Sequence, residues 1–184
     1  MSTRAKLLRR ASVLSVFVAL GAGGCQQPQA DVQLADSEVA QYVELVLPAR
    51  LEIQKFLTKP VSFAGDGAAD GIEVILAAYD AAGDLTKVVG TFHFELTQSH
   101  VKDSIGTRLA FWPVAIKSEP AMRLYQDRLS RYYEFPLELQ AEHKPLPPGQ
   151  YVLSVWLHLP TGRRIFDEYE FTYDGQGAAP VQPR

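Results

Sequence analysis

The sequence predicts a mainly β protein, an antiparallel seven-stranded β-sandwich with one short crossover helix and an N-terminal helix. Three observations predict it. Apolar and polar residues alternate with period two along most of the chain after residue 50, as half-buried strands require. Glycine, proline and aspartate punctuate these runs at short intervals. No strand–helix–strand alternation appears, so a parallel, doubly wound sheet is not the expectation.

The elements follow in order. Ser37 is placed to cap a helix through SEVAQYVELVL, 37–47, where Val39, Val43 and Val46 recur at helical spacing and Pro48 ends the run, although the same residues alternate almost as well as a strand. LEIQKF sets Leu51 and Ile53 against Glu52 and Gln54, the first strand. VSFAGDGAADG reads as a loop. IEVILAAY, the turn DAAGD at 80–84, and GTFHFELTQ predict a hairpin of 72–79 with 87–98. In its second strand Phe92, Phe94 and Leu96 point inward, and Thr91, His93, Glu95 and Thr97 outward. RLAFWPVAI is the fourth strand, and Pro113 puts it at an edge. Over 118–131 the period becomes helical: Ser118 caps, Pro120 suits the first turn, and Met122, Tyr125, Leu129 and Tyr132 recur on one side. YYEFPLEL then places Tyr133, Phe135, Leu137 and Leu139 inward. QYVLSVWLHL and RRIFDEYEFTY close the domain as a hairpin about PTG, with Tyr151, Leu153, Val155, Leu157 and Leu159 facing Ile165, Tyr169, Phe171 and Tyr173.

The chain divides into a leader at 1–24, a polar tether at 25–36, one folded domain at 37–173 and a tail at 174–184 that composition predicts to be disordered. The leader carries Arg4, Lys6, Arg9 and Arg10, then about twelve apolar or small residues, then glycines. A helix of that length rises roughly 18 Å, too short for a ~30 Å hydrocarbon core, so this is a secretory signal peptide. Its loss lowers Lys and Arg from 18 to 14 against 21 acidic residues, a formal net charge of −7. That excess, with no basic patch, disfavours nucleic acid as a partner.

Cys25 is the one cysteine, at the end of Ala22-Gly23-Gly24-Cys25. This stretch resembles the lipobox of bacterial lipoproteins, although Ala22 stands where leucine is usual. The resemblance implies that Cys25 is acylated, palmitate included, and heads the mature chain. Gln26 resembles the sorting pattern for the outer membrane, which implies an envelope protein facing the periplasm. LPPGQY at 146–151 resembles the corner before the penultimate strand of immunoglobulin-like and transthyretin-like domains. It implies that Tyr151 buries its ring and returns its hydroxyl to upstream backbone. The whole chain looks like the small envelope lipoproteins of unknown function.

No cofactor, metal site or catalytic constellation is expected, and the protein is read as a non-enzyme. His93 and Glu95 are about 7 Å apart on one strand face, while His100, His143 and His158 lie elsewhere and no zinc-ligand spacing joins them. Asp66, Asp70, Asp80 and Asp84 sit among glycines but without the dense oxygen spacing of calcium loops, and read as turn formers. Asp167, Glu168 and Glu170 with Arg163 and Arg164 read as solvated charges on the last hairpin. Trp112, Trp156, Tyr132 and Phe166 fall out of phase with the inward residues of their strands and form the candidate binding surface. The function expected is a lipid-anchored module that binds another envelope protein or serves as a scaffold. The alternative is a carbohydrate-binding module for cell-wall or extracellular glycans.

Overall fold

Residues 36–100 and 103–181 are described in the computed structural model of the chain. The leader, Cys25 and most of the tether lie outside them. The described residues hold α1 (Asp36–Val46), β1 (Arg50–Ile53), β2 (Lys59–Ser62), β3 (Gly71–Tyr79), β4 (Gly90–His100), β5 (Asp103–Ile116), α2 (Glu119–Tyr125), β6 (Tyr133–Glu138), β7 (Gly149–His158), β8 (Arg164–Tyr173) and β9 (Ala179–Pro180). They form two sheets.

The four-stranded sheet runs β5-β4-β7-β8, antiparallel throughout. Its inward residues are those that alternation selects: Phe92, Phe94 and Leu96 on β4 and Leu153, Val155 and Leu157 on β7 are fully buried. β5 is an edge strand, and its partner-free side tolerates Pro113, which has no N–H to offer.

The five-stranded sheet is built around β3. β6 lies along one side of it, while β1 and then β2 share the other, and β9 runs parallel beyond β2. The expected seven-stranded, wholly antiparallel arrangement is corrected on both counts: among the described residues there are nine strands, and one pair is parallel. The extra strands, KPVS and AP, are too short for alternation to register. The tail is corrected with them. Residues 174–181 return along β2, Ala178 enters the core and Val181 N–H donates to the Ser62 carbonyl.

The hairpin expected of 72–79 with 87–98 is also corrected, because β3 and β4 belong to different sheets. β3 is buried on both faces and already has neighbours on both sides, so no edge remains for β4. The DAAGD turn is real: Asp80 accepts the N–H groups of Ala82 and Asp84. Residues 86–89 then cross to the second sheet, and Val88 N–H donates to the buried Tyr133 hydroxyl at 2.8 Å.

β1 and β2 are separated by the turn 54–58, which interrupts the ladder opposite Ile75. Gln54 N–H donates to the Ile75 carbonyl, and Ile75 N–H donates to Thr58 Oγ1 at 3.0 Å. A buried hydroxyl thus replaces the missing strand partner.

Ser118 caps α2, its hydroxyl accepting from Ala121 N–H, and the helix carries the chain from one sheet to the other. It ends earlier than 131. Asp127 accepts from the N–H groups of Leu129 and Ser130, and Arg131 takes a left-handed conformation (φ 65°), so Leu129 is 94% exposed. Ser37 lies within α1 and not ahead of it.

Both sheets feed one core. The Phe135 ring of β6 lies 4.9 Å from Phe92 and 4.8 Å from Phe94 of β4. Each such buried ring contributes roughly 1.5–3 kcal/mol. Hydrogen bonds between edge strands bridge the open sides of the pair. Trp112 Nε1–H of β5 donates to the Glu138 carbonyl of β6 at 2.7 Å. Across the molecule, Ile53 N–H of β1 donates to Asp167 Oδ2 of β8 at 2.6 Å.

Candidate binding face

The outward side of the four-stranded sheet is assembled by register. Pro113, His93, Trp156 and Phe166 stand in one row across β5, β4, β7 and β8. The next row is Phe111, Glu95, Ser154 and Glu168, and the row on the other side ends in His158 and Arg164. Ring contacts link the rows. Trp156 lies 5.4 Å from Phe166, His93 stacks on Phe111 at 5.6 Å, and His93 meets His158 edge-on at 4.5 Å. Phe166 and Phe111 are 50% and 45% exposed. The result is an aromatic band with carboxylates along one border and Arg164 at the other.

His158 is held below the usual imidazole range, first by partial desolvation in this band and then by the electrostatic influence of His93 and Arg164. Protonation of His158 is therefore resisted. Glu95 is paired with Arg108 at 3.6 Å.

Of the four aromatics singled out, Trp156 and Phe166 come together here. Trp112 does not. It is opposite Phe94 in register, shares the inward parity of Ala110, Val114 and Ile116, and packs against the core. Both parities of β5 are apolar, so alternation could not choose between Phe111 and Trp112. Phe111 and His93 belong to the face instead. Tyr132 lies elsewhere, with Leu57, Lys59, Glu73, Ile75 and Glu134 around an open groove of about 600 Å³ on the five-stranded sheet.

The charged cluster of the last hairpin is corrected in part. Asp167 turns inward to Ile53, as described above. Arg163 pairs with Glu44 of α1 at 3.2 Å and donates through Nη2 to the Pro48 carbonyl at 2.6 Å. Its Nε is buried without a hydrogen-bond partner.

Asp66 and Asp70 spend oxygens on their own loop: Ala68 N–H and the Ser62 hydroxyl donate to Asp66, and Phe63 and Ala64 N–H donate to Asp70. Those bonds hold the Asp66 carboxyl below the usual range. Among the described residues, no group of three or more His, Cys, Asp or Glu side chains gathers as a metal site would require. The Tyr151 ring is buried and its hydroxyl donates to the Pro147 carbonyl, with burial pushing its pKa up to about 12. No described helix is long and apolar enough to cross a membrane.

These features define the class: a mainly β, two-sheet protein with an aromatic band on one outer face. No family model matches the chain, and no curated protein matches its sequence. Two solved structures are similar to part of it. MtrC from Shewanella baltica OS185 is 12% identical with a TM-score of 0.44, over 73% of this chain and 24% of that one. Astrotactin-2, described as a conserved vertebrate-specific and perforin-like membrane protein involved in neuronal development, is 14% identical with a TM-score of 0.34, over 74% and 22%. The chain thus spans about a quarter of the length of either protein.

Proposed function

We propose that this chain is a lipid-anchored protein of the bacterial envelope, held at the outer membrane facing the periplasm, whose immunoglobulin-like or transthyretin-like sandwich is a non-catalytic binding or scaffolding module. The anchor rests on the leader and on Cys25, the one thiol in the chain. Acyl chains contribute about 0.8 kcal/mol per buried CH₂, and more than one chain holds a protein stably. Labelled palmitate entering the wild type but not Cys25→Ser tests it; equal labelling contradicts it.

The binding role rests on one observation, the band in which exposed Phe111 and Phe166 flank half-buried His93 and Trp156. Phenylalanine rings have no polar handle, so the band suits an apolar protein surface desolvated on contact. The neighbouring Glu95 and Glu168 favour a partner with basic residues beside its apolar stripe. Trp156 keeps the glycan reading alive, since a ring face beside carboxylates can stack on a sugar. Photo-crosslinkers placed at Phe166 and at Glu134 in intact envelopes separate the readings. A protein adduct from position 166 alone is expected. Adducts only from 134, or retention on glycans lost with Trp156→Ala, would overturn the protein reading.

A further inference from the structure

Residues 38–46 of α1 bury none of their apolar side chains. The helix has eleven residues, three of them valine. Isolated helices shorter than ~12–15 residues are marginal in water, and β-branched residues weaken them further. Tertiary packing normally supplies the deficit, yet here Val39, Tyr42, Val43, Leu45 and Val46 are 39–63% exposed. The helix is held at its C-terminal end: Glu44 pairs with Arg163, the Val46 carbonyl accepts the Thr86 hydroxyl, and Leu47 is buried just beyond.

The helix is mounted with its apolar side outward. Val39, Tyr42, Val43 and Val46 stand at i, i+3, i+4 and i+7, one stripe. Glu44, which faces the domain through Arg163, lies about 140° round the helix from Val39. Glu44 thus ties its side of the helix to the protein, and the stripe stands exposed on another side.

Position along the chain identifies the occupant. Ten residues separate Cys25 from Asp36. Fully extended, ten residues reach at most about 35 Å. A chain anchored at Cys25 therefore keeps α1 beside the bilayer, at an effective concentration in the millimolar range. Tyr42 suits the boundary between headgroups and acyl chains, where an amphipathic ring has both surroundings. The helix contains Asp36, Glu38 and Glu44 and no lysine or arginine, which selects zwitterionic over anionic lipid.

We infer that α1 is an interfacial helix that lays Val39, Tyr42, Val43 and Val46 into a zwitterionic lipid surface and so orients the domain on its anchor. The inference rests on the lipid-anchor reading, and its test is separable from that reading.

The described core lies between Leu47 and Ala178, so a chain starting at Cys25 keeps all that packs it. That chain is coupled through its one thiol to maleimide phospholipid in phosphatidylcholine vesicles, and amide exchange is followed over 39–46. At least tenfold slower exchange than in the thiol-blocked soluble chain is expected. V39Q/V46Q should lose that protection while β4 exchanges as before. No slowing on vesicles overturns the inference. Slowing that grows with protein density would assign the stripe to a second copy, and slowing that requires added envelope proteins would assign it to one of them. Both overturn it. Failure of natural acylation shows in the palmitate experiment and leaves this one untouched.

Discussion

The two sheets share a core but differ in what their outer faces do. The four-stranded sheet has long strands, an almost complete ladder and aromatic rings left facing outward. The five-stranded sheet has short, interrupted strands, and its central strand is covered on the outside as well, with Ile75 and Ala77 both buried. One sheet is sustained by alternation, so its outward rings are not needed for folding. The other depends on side chains that complete broken backbone bonding: Thr58 at Ile75, Asp70 in the 62–70 loop, Tyr133 at the 86–89 crossover. Spare apolar surface on the self-sufficient sheet is what makes it the binding candidate.

The comparison breaks most severely where the sheets meet. Phe135→Ala should cost about 3–5 kcal/mol in denaturant unfolding, because its ring contacts residues from both sheets. A loss near zero would mean that the sheets do not share a core. Thr58→Val should cost about 1–3 kcal/mol by leaving the Ile75 N–H buried and unpaired. No outward position on the four-stranded sheet should show a comparable polar effect.

Tyr151→Phe is expected to cost about 0.5–1.5 kcal/mol near neutral pH, through the lost bond to Pro147. Its pH dependence sharpens the point. The folded-state pKa lies above the ordinary tyrosine value, so the wild-type advantage is complete below pH 10 and is lost as pH rises through about 12. The gap between variant and wild type in unfolding midpoint should narrow over that range. Tyr133, also raised by burial, leaves a residual alkaline slope in both proteins.

Legibility followed the same division. β4, β6, β7 and the α2 cap were readable because a single apolar parity, or a serine before a proline-bearing turn, admits one local solution. β2 and β9 were not, since four and two residues carry no period. The sheet change after β3 was hidden because a tight turn between strands looks the same whether the chain pairs back or crosses over. Within the candidate face, Trp156 and Phe166 were legible from β7 and β8. Phe111 was not, because on β5 only the register with Phe94 and Glu95 decides which neighbour faces in. Asp167 escaped because an inward carboxylate makes sense only beside the Ile53 N–H, 114 residues away in sequence.

The central claim is that the aromatic band serves binding and not folding. The direct measurement is W156A/F166A, read for unfolding midpoint and, with the photo-crosslinker placed at Phe111 on the same face, for partner crosslinking in intact envelopes. The account predicts a stability change of about 1 kcal/mol or less with adducts lost at least tenfold. A variant that unfolds readily, or one that crosslinks as the wild type does, would contradict it.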